Sequence, residues 1–361
     1  MKSLPKSSVI PKDFHNQRRL VEGSTNLGMR STREGRRDAR HTSFAATRFG
    51  GAHRYPPDTV TTLQGSSNPV IPPKGTPERK AQLDQLADRA KFIRLETVRL
   101  SKIAGAGHYT SSFSAAELFA ALYYSVLNYK PAEPRWVDRD RFVLSKGHAA
   151  IGLYPVLADV GFFAPSELDT YTRLGSPFGD HPDMKKIPGI DFSSGSLGHG
   201  LSIAVGIALG GRVGDRPYRT FCMLGDGELH EGQVWEAANA AGHYRLGRLV
   251  AIVDRNKLCI DGFTDDVMSV EPIEDRFNAF GWQTHRVDGH DFDALLDVFD
   301  ALPNVQDGPP QLIVADTVKG RGVRLMEYNP DWHVGNLVGA DYDNVIAELQ
   351  AGLRPLEAVN D

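Results

Sequence analysis

Leu83, Leu86, Ala90, Ile93, Thr97, Leu100 and Ile103 recur at three- and four-residue steps, the spacing that gathers side chains on one face of a long helix. Thr76 and Pro77 stand where an N-cap and a first helical residue belong. Ser114-Ala-Ala-Glu117 reads as a capping box opening a second helix, in which Leu118, Leu122 and Val126 repeat the pattern. Beyond it, short β-rich runs alternate with helical segments: RFVL (141–144), TFCML (220–224), LVAIVD (249–254), WQTHRV (282–287) and QLIVAD (311–316). Such alternation predicts an α/β fold, a parallel sheet with helices on both faces, and it places ligands at the carboxyl ends of the strands. A last amphipathic helix is expected over 341–353.

Charge divides the chain. Residues 1–75 hold 13 Lys/Arg against 5 Asp/Glu, a net of +8, and the remaining 28 basic and 40 acidic residues give 76–361 a net of −12. The first segment is rich in Ser, Thr, Gly and Pro and has no sustained apolar period, so it buries too little to offset its ordering cost and is expected to be a basic, disordered extension. Its acidic residues and lack of interleaved aromatics argue against an organelle transit peptide and against nucleic acid as a partner. Residues 76–340 then form one α/β domain, and 341–361 a C-terminal helix and tail. Two cysteines, Cys222 and Cys259, one in a strand and one at a strand end, make no disulfide framework or C-x-x-C motif. The apolar run Leu201–Gly211 is about half the ~20 residues that span a bilayer, and MKSLPKSSVI has no apolar signal core. A cytoplasmic protein without membrane contact is expected.

The chemistry clusters after strands. Gly225-Asp226-Gly227 follows TFCML, and Asn256, thirty residues beyond Asp226, follows LVAIVD. One connecting helix, from Glu231 to about Tyr244, accounts for the gap. Adjacent parallel strands therefore bring a carboxylate and a carboxamide to one point, and these hard oxygen donors suit an octahedral Mg²⁺ that also holds phosphate. Of nine histidines outside the basic segment, His108, His148, His181 and His333 fall in polar loops. Their gaps of 40, 33 and 152 residues form no compact zinc pair. Imidazoles in such loops supply hydrogen-bond donors and acid/base groups that titrate near neutrality.

The stretch GDGELHEGQVWEAANAAGHYRLGRLVAIVDRN, with AGAGH, FVLSKGHA, GDHPD, SSGSLGHG and KGRGV in the same order, resembles the thiamine diphosphate-binding half of transketolase, specifically the N-terminal subunit of the split, two-chain form. The likeness runs from about Leu83 to His333. It implies the thiamine diphosphate-binding fold, with Asp226, Asn256 and the backbone carbonyl of Leu258 as Mg²⁺ ligands and Gly227 against the diphosphate. It also implies that Gly195 and Leu197 line the cofactor. Glu231 matches an acid at the subunit contact, although its spacing fits a first-turn helix acid equally. His108 and His181 match positions that bind substrate hydroxyls, His148 sits at the diphosphate and reacting centre, and His333 contacts the diphosphate.

The implied activity is transfer of a two-carbon ketol unit from a ketose, or ketose phosphate, to an aldose. The rival readings are decarboxylation and carboligation of a 2-oxo acid with the same cofactor, and a non-catalytic paralogue. About 28 residues follow His333, too few for the domain that holds the aminopyrimidine and supplies a glutamate. A separate C-terminal transketolase-type subunit, in an α₂β₂ assembly, is therefore the expected partner. Departures from the family at His199, Leu229-His230 and Tyr109-Thr110-Ser111 are either neutral or reshape the acceptor pocket, and they bear on the sugar more than on the cofactor.

Overall fold

In a computed structural model of the chain, residues 69–353 are described. Of the expected basic extension, residues 1–68 lie outside them. The helices are α1 (Pro77–Ala104), α2 (Tyr109–Ser114), α3 (Ala116–Ala121), α4 (Ala150–Asp159), α5 (His199–Val213), α6 (Gly232–His243), α7 (Thr264–Met268), α8 (Ile273–Ala279), α9 (Phe292–Ala301) and α10 (Ala340–Ala351). The strands are β1 (Arg141–Leu144), β2 (Thr220–Gly225), β3 (Leu249–Arg255), β4 (Gln283–Asp288) and β5 (Gln311–Asp316). All five β-rich runs are strands, joined in the order β1-β2-β3-β5-β4 with every pairing parallel.

Alternation along each strand builds two cores. Phe142, Leu144, Phe221, Met223, Val250, Ile252 and Ile313 face a cluster that includes Leu86, Ala90 and Ile93 of α1 and residues of α3, α4 and α9. Their neighbours Val143, Cys222, Leu224, Ala251, Val253 and Val314 face α5, α6 and α8. The inner strands are buried on both sides, as an all-parallel sheet requires. Thr76 caps α1, its hydroxyl accepting from the Arg79 N–H at 3.2 Å. Helix α10 packs through Val345 and Leu349 onto Leu95 and Val98 of α1. No helix among the described residues is long and apolar enough to cross a membrane.

The capping box at Ser114 does not form. Helix α3 begins at Ala116 behind Ala115, with no side-chain cap. Ser114 instead donates to Asp254 Oδ2 at 2.7 Å. Glu117 is fully buried, takes both Arg94 guanidinium nitrogens at 2.8 and 2.7 Å, and meets His290 Nδ1 at 2.9 Å. Pairing inside the core outcompetes a local cap because a buried carboxylate without a cation costs several kcal/mol, more than the ~1 kcal/mol a cap contributes. Burial alone would raise the Glu117 carboxyl, but Arg94 and His290 together hold it down at about 2. Cys222 is buried in β2, whereas Cys259 lies in the loop beyond β3 rather than at the strand end, its thiol donating to the Gly262 carbonyl at 3.3 Å.

Candidate active site

Four strands end on the same edge and deliver polar side chains there. Ser145 and Lys146 follow β1, Asp226 follows β2, Asn256 follows β3, and Thr317 and Lys319 follow β5. Gly225 pairs with Asp254, so Asp226 and Asn256 leave adjacent strands in near register. Asp226 is wholly buried; its oxygens accept the backbone N–H of Gly227 at 2.9 Å and of Lys257 at 2.6 Å. It has no ion pair among the described residues, and burial, reinforced by the nearby Asp254, pushes its carboxyl up to about 7. Asn256 Oδ1 accepts from the Leu258 N–H at 3.2 Å, which folds the chain back so that the Leu258 carbonyl joins the same turn. A buried carboxyl without a cation, an amide oxygen and a carbonyl make a donor set that fits a hard divalent ion.

Lysine 319 connects this turn to the histidines. Its Nζ lies 3.2 Å from the Leu258 carbonyl, 3.3 Å from the Cys259 carbonyl and 2.9 Å from His333 Nδ1. The His108, His148 and His333 rings form a triangle with centroid separations of 5.4, 5.5 and 5.6 Å. Burial, then the charges of Lys146 and Lys319 and the neighbouring rings, push His148 well below its ordinary value. His333 falls to about 3 through burial and Lys319, and Lys319 itself falls to about 8 through burial and Lys146. Two buried lysines beside desolvated, proton-poor imidazoles leave the site with positive charge and N–H donors to offer an anion, which fits a diphosphate.

The other expected residues sit around this centre. His181 lies outside the three-ring cluster and is largely exposed, but Asp180 joins it to the cluster: one oxygen lies 3.3 Å from His108 Nδ1, the other 3.9 Å from His181 Nδ1. Gly195 has φ +155°, and a Cβ there would meet the His181 ring at 3.3 Å. Leu197 is half-buried in the turn before α5. Glu231 is the N-cap residue of α6, exposed and without a side-chain cap bond, lying against Gly198. A Cβ on Gly147 would meet the Gly195 nitrogen at 2.8 Å, so that glycine allows the loop after β1 to touch the loop before α5.

Sequence reasoning missed the charged groups beneath the site. Lys146 is buried against Asp254, which also takes the hydroxyls of Ser114 and Thr317. Burial would raise Asp254, but Lys146 holds it below the usual carboxylate range. Glu228 accepts from Ser145 Oγ, from the Gly198 N–H at 2.8 Å and from the Gly225 N–H at 3.1 Å, tying three loops together. The lysines stand inside the LSKGHA and KGRGV strings, and that was their only signal. Among the departures, Tyr109 and Leu229 are core residues, His199 is exposed at the start of α5, and His230 bonds the Met268 carbonyl at 2.7 Å. Tyr109 and Leu229 thus bear on packing rather than on a pocket.

The family model for the thiamine diphosphate-binding domain of transketolase matches residues 85–357. The chain belongs to the transketolase family. The 6-deoxy-6-sulfo-D-fructose transketolase subunit SqwG of Clostridium sp. (strain MSTE9) is 40% identical over 269 residues, which are 74% of this chain and 97% of that one. One of the apulose-4-phosphate transketolase subunits of Phocaeicola vulgatus is 36% identical over 280 residues, 78% of this chain and 99% of that one. Among solved structures, transketolase from Leishmania mexicana superposes with a TM-score of 0.69 at 29% identity, over 73% of this chain and 41% of that chain. The chain therefore matches separate transketolase subunits over almost their whole length and spans less than half the length of that solved transketolase. It is one subunit of a thiamine diphosphate-dependent transferase of the transketolase type, with the α/β thiamine diphosphate-binding fold.

Proposed function

We propose that this chain supplies the diphosphate-binding half of a ketol-transfer site, with Mg²⁺ held by Asp226, Asn256 and the Leu258 carbonyl, and that a separate subunit in an α₂β₂ assembly supplies the aminopyrimidine-binding half and its glutamate. The observation that carries the reading is the Lys319 ammonium, which bonds His333 and the Leu258 carbonyl at once and so joins the imidazole cluster to the turn of the donor set. When bound, thiamine diphosphate supplies the carbanion chemistry that breaks and remakes the C–C bond.

This chain's residues bind, orient and hold protons around it. Gly227, His148 and His333 contact the diphosphate, and Lys319, protonated at neutral pH, adds a charge-assisted bond to it. Gly195 and Leu197 line the cofactor's rings, and Glu231 meets the partner subunit near them. His148, neutral at pH 7, bonds Ser111 Oγ through Nε2 at 3.1 Å, which fixes its ring. Asp180 holds His108 through Nδ1, leaving Nε2 for a substrate hydroxyl, and His181 provides a second such contact across Asp180.

The relatives are named for different sugars, a sulfofructose and apulose 4-phosphate, so the reading stops at a ketose donor and an aldose acceptor. His108, His148 and His181 favour hydroxyl-rich sugars over a 2-oxo acid. The test is to supply the two-subunit complex with a ketose phosphate plus an aldose acceptor, and separately with pyruvate. Ketose turnover without CO₂ from pyruvate is expected; CO₂ release with no ketose turnover would reverse the assignment.

A further inference from the structure

At the opposite, amino end of β1, a cavity of about 700 Å³ opens between the segment leading into that strand and residues 184–191. Arg135, Arg139, Arg141, Lys185 and Lys186 line it, against the single carboxylate of Asp191. That carboxylate is already neutralised: Arg139 holds it at 3.0 and 2.5 Å, and it accepts the Phe142 N–H at 2.8 Å. Lys186 has Asp183 at 3.5 Å. Arg135 and Lys185 are exposed and have no ion pair among the described residues. Arg141 is fixed by bonds to the Arg139 and Val137 carbonyls at 2.5 and 2.9 Å, where burial and the adjacent Arg139 both disfavour its charge.

Five cations against one carboxylate around a single concavity are out of character for a body that carries a net of −12 over residues 76–361. Like charges held this close repel, and an acidic protein of this composition has carboxylates to spare for pairing them. The cavity also has an apolar share, from Met184, Ile187 and Ile190. Its volume lies within the roughly 300–1,000 Å³ range of small-molecule sites.

We propose that this cavity binds a phosphorylated small molecule, its phosphate on Arg135, Lys185 and the fixed Arg141 guanidinium and its carbon skeleton against the exposed Met184. The site is separate from the carboxyl-end cluster, yet chain connectivity links the two. The 184–191 wall belongs to the stretch that begins at His181 and ends at Gly195, and that stretch is closed on itself by Ser193, whose Oγ meets Asp183 Oδ1 at 3.3 Å and the Met184 N–H at 2.9 Å. An occupant holding Lys185 therefore steadies the segment that carries His181.

Calorimetric titration of the full-length chain, free of thiamine diphosphate, which would itself compete as a phosphorylated small molecule, tests the site with glucose 6-phosphate as probe and glucose as control. Glucose 6-phosphate should bind, more weakly as salt rises, and glucose should not. The exposed pair Arg135→Ala/Lys185→Ala should weaken binding about tenfold or more, since each removes a charged contact. His108→Ala/His181→Ala should leave it unchanged. No binding by the unaltered chain, an affinity unchanged in the Arg135→Ala/Lys185→Ala variant, or binding lost in the histidine variant overturns the proposal.

Discussion

Asp226→Ala should abolish Mg²⁺-dependent binding of thiamine diphosphate while leaving the fold intact. The carboxyl is buried and unpaired, and it is the one acidic side chain in the proposed donor set. Loss of a residue that merely orients a metal ligand costs about 10–100-fold in affinity, so loss of the ligand itself should cost at least that. In metal-free buffer the substitution removes the desolvation cost of the buried carboxyl together with its bonds to the Gly227 and Lys257 N–H groups, so the two offset and stability should change by no more than about 2 kcal/mol. His181→Ala serves as the contrast: exposed and outside the three-ring cluster, it should keep cofactor affinity and lose turnover. Calorimetry with and without Mg²⁺, paired with steady-state kinetics of the complex, separates the two; normal turnover in both variants would remove the site assignment.

The second large effect lies in the core. Arg94→Leu should destabilise the chain by about 3–5 kcal/mol at neutral pH, because it leaves Glu117 charged and buried with only His290 beside it. The pH dependence gives the sign. In the native chain the Glu117 carboxyl is held at about 2 against an ordinary 4.5, so its contribution is complete above 4.5 and is lost as pH falls towards 2. Without Arg94, burial dominates and Glu117 takes up a proton more readily than in the unfolded chain, so the deficit of the variant should shrink as the pH is lowered through that window. Denaturant unfolding at pH 7 and below pH 4 measures it. A deficit that stays constant with pH would mean that Arg94 acts by packing alone. Glu117→Leu added to Arg94→Leu should recover part of the loss, since a buried pair replaced by apolar groups is often neutral.

These two effects mark what was legible in the sequence and what was not. The strands could be read because central parallel strands are continuous apolar runs, and the interval from Asp226 to Asn256 could be read because one helix and one strand fix it. Histidines in loops could be read as a group, though only the fold brings His108, His148 and His333 into one triangle and leaves His181 across Asp180. Lys146, Asp254 and Lys319 could not, because a charged residue in a polar loop has the same local signature whether it is solvated or buried under a site. Ser114 and Glu117 misled for the related reason that a capping box is a local pattern, and their partners Asp254, Arg94 and His290 are distant in sequence.

Those buried charges also give the site its character. Burial, with the charges of Lys146 and Lys319, keeps His148 and His333 neutral near pH 7, and a neutral imidazole still has one N–H to donate to a diphosphate oxygen. The positive potential of the two lysines suits the phosphates that an acidic body would otherwise repel.

On the proposed reading, the chain holds half of a catalytic site. The most direct test of that reading is ketol transfer by the purified chain with thiamine diphosphate and Mg²⁺, measured alone and after addition of the partner subunit. The chain alone should show no turnover, and turnover should rise with added partner until the subunits are equimolar. Full turnover by the chain alone would contradict that reading.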